Sequence, residues 1–327
     1  MSTRDFDNVT YIRSVNHALD DALSADSSVV IFGEDVGIPN GPFGATKGLA
    51  AKHGPERVFD TPISESAMIG AALGAAMSGL RPVVEIMFAD FLFVAMDQII
   101  NQVANSRYVS KGKLPAPLVI RTQQGSTPGA CAQHSHSVEA LLAHIPGLRV
   151  VMPTTSQDAY SCLRHAIESD DPVIVIESRR LYPTKGPLDR SVATSVATGA
   201  RVAREGDDVT IVSWGAMLPD ALSQAEALTA SGIEADVIDL RWASPLDLGA
   251  VERSVRKTGR LIVAHEAVRT AGLGAEVVSQ LYERIGASFV HRRIGAADSP
   301  IPASPALARH VLPHAGEIAI AANELCS

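Results

Sequence analysis

Residues Asp60–Glu85 read DTPISESAMIGAALGAAMSGLRPVVE. A proline turn leads into a helix expected over Ser64–Ser78, built almost wholly of Ala, Gly, Ser and a few apolar residues, and a strand follows at Pro82–Ile86. A helix this apolar has to be buried, yet a single carboxylate, Glu65, stands at its entrance. The helix N-terminus favours the anion by under about 1 kcal/mol. Burial favours the neutral acid and is the stronger of the two influences.

The surrounding chain extends this helix-and-strand unit. Upstream, Ile12, Val15, Leu19, Ala22 and Leu23 have helical spacing, and VVIFGED (Val29–Asp35) reads as a buried strand ending in acids. Downstream, a helix is expected over Phe91–Tyr108, then strand PLVIRT (Pro117–Thr122), strand LRVVMP (Leu148–Pro153), a helix over Ser156–Ser169 and strand PVIVIE (Pro172–Glu177). Continuous β-branched strands separated by helices imply a parallel sheet covered on both faces. Ser178–Ser195, with two prolines, Gly186 and several charges, interrupts the pattern. A second alternation follows. Strands are expected at Asp208–Gly215, Glu234–Leu240 and Arg260–Glu266, with helices at Leu218–Ser231, Leu246–Lys257 and Gly274–Ile285. The fold class is therefore α/β, with two doubly wound domains over residues 1–185 and 201–327 and a linker at 186–200.

The totals narrow the function. With 327 residues, 46% apolar and 20% charged, the chain has a soluble globular balance. Its net charge of −8 argues against nucleic-acid or membrane-surface partners. No apolar run is long enough to span a bilayer. The opening residues carry acids and lack an apolar run, so neither a signal nor a transit peptide is expected. Cys131, Cys162 and Cys326 share no CxxC spacing and fit a reducing compartment, the cytoplasm.

Several motifs carry less than they first suggest. TAGLGAEV (Thr270–Val277) has Val277 where the third glycine of a dinucleotide loop would stand, and reads as a tight strand-to-helix turn. QQGSTPG (Gln123–Gly129) does not fit a nucleophile elbow. Cys131, His134 and His136 stand close together, but a closed zinc site needs a fourth ligand. No Gly-Asp-Gly followed at a distance by Asn is present, the motif that holds pyrophosphate and magnesium in thiamine diphosphate enzymes.

A resemblance runs through nearly the whole chain. GEDVG (Gly33–Gly37), FGATKGL (Phe43–Leu49), RVFDTPISE (Arg57–Glu65), GLRPVVEIMFADF (Gly79–Phe91) and DQIINQVANSRY (Asp97–Tyr108) carry it, followed by AQHSHSVEALLAHIPGLRVVMP (Ala132–Pro153) and DPVIVIE (Asp171–Glu177). DLRWASPLD (Asp239–Asp247), KTGRLIVAHEA (Lys257–Ala267) and GLGAEV (Gly272–Val277) continue it. The sequence resembles the β subunit of the thiamine diphosphate-dependent decarboxylating component of 2-oxo acid dehydrogenase complexes, of pyruvate, branched-chain or acetoin type. The two domains are then a transketolase-like pyrimidine-binding domain and a transketolase C-terminal-like domain.

The resemblance implies roles for single residues. Glu65 meets a ring nitrogen of the aminopyrimidine and shares a proton with it. Ile63, Met87 and Phe91 bind the cofactor. Glu34 matches an acid in a water-lined interior linking paired sites; a solvated loop acid is the other reading. His134 lies at the active-site mouth and assists acyl transfer to a lipoyl arm, for which an imidazole titrating near neutrality is suited. Carbonyls of Leu118, Ala166, Ile167, Ser169 and Asp171 match a potassium loop, with Ser169 in place of the usual acid. His136 stands where Gln is common. DSPIPASPALARH (Asp298–His310) lacks the aromatic and acidic residues often found there.

The missing diphosphate motif implies an α subunit that holds Mg2+, in an α2β2 heterotetramer, and the absence of an Asp-Lys-Ala hairpin puts the lipoyl arm on a separate acyltransferase core. The small residues Gly70, Ala71, Gly74, Ala75 and Ser78 suit a close subunit contact, or equally a helix buried within one subunit. FGATKGL, EIMFADF and YPTKG (Tyr182–Gly186) are worded more like acetoin-type chains. Two other functions compete: ketol or aldehyde transfer of the transketolase kind without a lipoyl acceptor, and a non-catalytic assembly subunit.

Overall fold

A computed structural model describes residues 7–192 and 194–327. Met1–Phe6, on which the leader reading partly rests, and Ala193 within the expected linker lie outside the described residues. The chain divides into two compact units, one comprising the residues through Gln124 together with Leu141–Thr198, the other Gly125–Ala140 with Gly199–Ser327.

The first unit runs β1 (Asp7–Thr10), α1 (Tyr11–Ala25), β2 (Val29–Gly33), α2 (Leu49–His53), β3 (Val58–Asp60), α3 (Glu65–Met77), β4 (Arg81–Ile86), α4 (Ser106–Val109) and β5 (Val119–Gln124). After α5 (Glu139–Ala143) come β6 (Arg149–Val151), α6 (Ser156–Glu168), β7 (Val173–Ser178) and β8 (Lys185–Leu188). Strands β6-β7-β5-β4-β2-β3 stand in that order, and every neighbouring pair is parallel. Runs such as Val29–Phe32 and Val173–Ile176 are buried throughout, as strands covered on both faces must be. Local signals agree with the helices: Thr10 caps α1 by accepting from Arg13 N, and Thr155 with Asp158 forms a capping box on α6.

The strand order reverses at β2. From β2 the chain crosses to β3 on one side, and from β4 to β5 on the other. In open parallel sheets the crevice outside the carboxyl ends of such a pair is where ligands bind.

The expected helix over Phe91–Tyr108 is broken. Ala89–Ala95 is a 3-10 stretch, Gln98–Val103 a π turn, and only Ser106–Val109 is α-helical. The helical hydrogen-bond ladder has competitors: the Ser66 hydroxyl donates to Val94 O at 2.6 Å and the Asn105 amide to Ile100 O at 3.0 Å. Part of the expected linker is ordered on the first unit. β8 pairs antiparallel with β1 (Asp7↔Leu188), and Arg190 forms an ion pair with Asp21.

The second unit comprises β9 (Arg201–Arg204), β10 (Val209–Ser213), α7 (Met217–Thr229), β11 (Ala235–Asp239), β12 (Trp242–Ser244), α8 (Gly249–Thr258), β13 (Arg260–Val268), α9 (Leu273–Ile285), β14 (Val290–Ala296), α10 (Pro305–Ala308) and α11 (Ala315–Cys326). Its sheet has the order β14-β13-β10-β11-β9, parallel except for β9 against β11. Strands β9 and β14 and helix α11 have no counterpart in the sequence reading. In β14 a histidine and two arginines mask the apolar signal, whereas α11 buries Ile318, Ala321 and Ala322 in the core formed by α7, β10 and β11. Among the described residues no helix is long and apolar enough to cross a membrane.

Candidate active site

Three expected site residues come from the carboxyl ends of adjacent strands. Glu34 follows β2 directly, Met87 follows β4 directly, and Glu65 opens α3 after the turn that leaves β3. Gly33 makes the first of these placements possible. A Cβ on it would meet Glu85 O at 2.5 Å, so only glycine lets β2 lie this close to β4 just before Glu34. Beyond Glu34 the chain turns through Asp35 in the left-handed region (φ 57°). The Asp60 carboxylate fastens that turn, accepting from Gly37 N at 2.6 Å and Ile38 N at 3.2 Å.

Glu65 is 7% exposed. Among the described residues its carboxyl has no hydrogen-bond partner. Glu34, half-buried, titrates above the ordinary carboxylate range, first because of burial and then because of the nearby Glu65 carboxylate. The structure thus brings the two acids together. Phe91 packs edge-on against Phe88, ring centroids 5.5 Å apart, and Arg179 lies over the other aromatic partner in this cluster, its guanidinium carbon 4.7 Å from the Phe88 centroid. Ile63, in the turn before α3, is 82% exposed.

His134 ends a 3-10 turn (Ala132–His134) in the segment Gly125–Ala140, which groups with the second unit; it is half-buried and His136 is exposed. Among the described residues no group of three or more His, Cys, Asp or Glu is arranged to hold a metal ion.

The expected potassium loop lies around the α6–β7 turn, and the carbonyls of Leu118, Ala166, Ile167 and Ser169 accept hydrogen bonds. Arg81 donates through Nη1 to Ile167 O at 3.1 Å and Ser169 O at 2.9 Å, and through Nη2 to Asp170 at 2.8 Å. Leu118 O accepts from Val173 N, and Ala166 O from Ser169 N. A cation sharing these oxygens would sit beside a guanidinium; two unit charges about 4 Å apart repel by roughly 4 kcal/mol near a protein surface. Asp170, which accepts from the same guanidinium, offsets part of that repulsion.

The sequence reading missed a buried ionic cluster next to the crevice. Arg121 of β5 donates in bidentate fashion to Glu177 of β7, at 2.5 and 3.1 Å, and to Glu85, directly across from it on β4; the Tyr182 hydroxyl donates to Glu177 at 2.8 Å. Burial pushes Glu85 up against the opposing pull of Arg121. The signal was present: PVVE, PLVIR and PVIVIE each end an apolar strand in a charge at the same end of the sheet.

Two consecutive α/β units of this kind have the architecture of the transketolase type, and comparison with known proteins agrees. A family described as "Transketolase, pyrimidine binding domain" matches residues 7–185, and one described as "Transketolase, C-terminal domain" matches residues 198–318. The chain is similar to the mitochondrial pyruvate dehydrogenase E1 component subunit beta-2 of Oryza sativa subsp. japonica, 42% identical over 97% of this chain and 86% of that one. It is also similar to the acetoin:2,6-dichlorophenolindophenol oxidoreductase subunit beta of Cupriavidus necator, 40% identical over 95% of each. Among solved structures, a split-gene transketolase described as an inactive beta4 tetramer shares the fold, with TM-score 0.79 at 23% identity over 97% of this chain and 98% of that one. The chain belongs to the β subunits of the thiamine diphosphate-dependent 2-oxo acid dehydrogenases, a family of oxidoreductases.

Proposed function

We propose that this chain supplies the aminopyrimidine-activating half of a thiamine diphosphate site that cleaves a 2-oxo acid or acetoin. One observation carries the reading: Glu65, buried and without a hydrogen-bond partner among the described residues, lies beside a second acid of raised proton affinity at the strand switch point. A carboxyl that makes no bond within the chain is available to a ring nitrogen of the cofactor. The residues therefore fit the cofactor. When bound, thiamine diphosphate supplies the electron sink that bond cleavage next to a carbonyl requires.

The chain's own residues do the rest. Glu65 holds a proton at the ring nitrogen and takes it back as the reaction proceeds. Glu34 interacts electrostatically with Glu65 and holds its own proton more tightly than a free carboxyl does. Met87, Phe91 and Ile63 bind the cofactor, Met87 and Phe91 flanking its aminopyrimidine. His134 assists passage of the acyl group to a lipoyl arm borne by an acyltransferase core. The working domains are residues 1–185 and 201–327, joined by 186–200.

A partner is part of this reading. The sequence lacks the diphosphate motif, so an α subunit holds the diphosphate and Mg2+ in an α2β2 assembly. Helix α3 supports close association: Ala67, Ala71, Gly74 and Ser78 are exposed on one side, leaving room for another backbone. Three free cysteines fit a cytoplasmic setting.

The test is co-expression with an α-type chain, followed by dye reduction with thiamine diphosphate, Mg2+ and a panel of pyruvate, branched-chain 2-oxo acids and acetoin. Turnover of one substrate, lost in Glu65→Gln, supports the reading. A stable pair that binds cofactor and turns over nothing on the panel defeats it in favour of ketol transfer.

A further inference from the structure

The segment Gly125–Ala140 leaves β5 and carries His134 through a stretch with little regular structure. Long irregular segments of this kind are either functional or disordered unless something fixes them. Here both ends are fixed by the second unit, and the fixing groups come from the carboxyl ends of two paired strands, β10 and β13 (Ser213↔Ala264).

At the entrance, Ser126 N donates to Glu266 Oε1 at 2.5 Å. Gly125 adopts φ +91°, and a Cβ there would meet the same Oε1 at 2.7 Å, so the backbone lies directly on this carboxylate. At the exit, Glu139 is 1% exposed and accepts from Trp214 Nε1 at 3.3 Å. Trp214, itself 3% exposed, stacks on His265 with ring centroids 5.0 Å apart and planes 13° from parallel. His265 and Glu266 are neighbours on β13, so successive residues of one strand hold opposite ends of the segment. Between the clamps, Cys131 sits in the left-handed region (φ 54°) immediately before the 3-10 turn that ends in His134.

We propose that Glu266, together with the Trp214–Glu139 pair, is a positioning device for His134. Each clamp trades a water contact for a hydrogen bond to a charged group, which is among the stronger kinds. Loss of one clamp lets the turn drift, and a displacement of about 1 Å in a reacting group can lower a rate roughly a hundred-fold. The affected step is the one assigned above to His134, acyl transfer to a lipoyl arm, so the proposal rests on that reading.

The experiment uses the reconstituted α/β complex with its cofactor and compares two rates on the same preparation: dye reduction, which does not require the lipoyl arm, and reductive acylation of a free lipoyl domain. The variants are Glu266→Gln and, should that one fail to assemble, Glu139→Gln and Trp214→Phe, each also combined with His134→Ala. The expected result is a loss of at least roughly ten-fold in lipoyl acylation, with a much smaller loss in dye reduction. The clamp variants should add little further loss on the His134→Ala background, because residues acting as a unit are non-additive. Equal losses in both assays, or additive losses with His134→Ala, reduce the clamps to general structure and overturn the proposal. Wild-type-like acylation in all three variants does so as well. A wild-type complex that reduces dye but acylates no lipoyl domain defeats instead the reading of His134 on which the proposal rests.

Discussion

The carboxylate of Glu65 lies close enough to Glu34 to raise the proton affinity of Glu34, adding to the larger effect of burial. The two acids follow neighbouring strands, β2 and β3, at the carboxyl edge of the sheet. A pair of this kind shares protons more readily than either acid alone, because ionising one makes ionising the other harder. Glu65→Gln should therefore lower dye reduction by about 10²–10⁴-fold, the range for losing a positioned acid or base. Glu34→Gln should cost less and move the acid limb of the pH–rate profile to lower pH. An unchanged limb in Glu34→Gln would separate Glu34 from catalysis.

Stability gives an independent check on Glu34. Its folded-state pKa lies above the ordinary 4.5, so the folded protein binds this proton more tightly than the unfolded chain does. The resulting stabilisation is present below 4.5 and is lost as the pH rises through the raised value. The melting temperature of the Glu34→Gln complex should fall less than that of wild type across this window. Parallel curves for the two proteins would contradict the assigned shift.

The Glu85–Arg121–Glu177 cluster is structural in a demanding way. Arg121 is 3% exposed and satisfies two buried acids at once. Removing the central cation strands both carboxylates, and breaking a buried pair in this way costs about 3–5 kcal/mol. Arg121→Met should therefore lower the melting temperature sharply or prevent assembly. Tyr182→Phe, which removes one hydrogen bond to Glu177, should cost only about 1 kcal/mol. Thermal melts of the purified complexes distinguish the two magnitudes.

Much of this arrangement could be read before the fold was known, and the exceptions have physical reasons. Helices α1, α3 and α6 and five of the six parallel strands of the first unit, all but the three-residue β3, follow from periodicity and continuous apolar runs, signals that depend only on neighbouring residues. The segment Phe91–Tyr108 reads as one helix because its composition is helical; the Ser66 and Asn105 side chains that compete for its carbonyls act through tertiary or side-chain geometry that periodicity does not include. Glu34 and Glu65 are far apart in sequence, so their proximity required the strand order. Ser169 shows in sequence as a missing acid, whereas the bond from Arg81, at the start of a distant strand, to the same loop leaves no local signal. Glu266 and Trp214 were invisible for the same reason: a clamp on a loop is a relation between segments and leaves no local pattern.

His265 makes the stability of the second unit sensitive to acid. It is fully buried, and burial first, then Arg293, lowers its pKa from 6.5 to about 4. Between those values the unfolded chain takes up a proton that the folded protein refuses. The stability due to this group is therefore intact above pH 6.5 and lost as the pH falls towards 4. At 1.36 kcal/mol per pH unit, the loss over the window is roughly 3 kcal/mol. His265→Phe, which can keep the stack on Trp214, should flatten the fall in melting temperature between pH 6.5 and 4. A variant as acid-sensitive as wild type would assign the sensitivity to other groups.

Arg81 leads to a prediction about ions. Its guanidinium bonds to the carbonyls of Ile167 and Ser169 and to Asp170, tying the start of β4 to the end of α6. A loop whose positive charge is covalently attached does not need one from solution, and the like-charge repulsion estimated above opposes a second. Replacing potassium by sodium or a bulky organic cation at constant ionic strength should leave the melting temperature and activity of the wild-type complex unchanged. Arg81→Gln should lose about 1–3 kcal/mol of stability through the lost charge-assisted hydrogen bonds. It should also become stabilised by potassium, because the vacated carbonyls then present an uncompensated set of oxygen ligands. Potassium-dependent melting of the wild-type complex would show that Arg81 and the ion share the loop after all, and that the repulsion between them is offset by Glu168, Asp170 and Asp171 nearby.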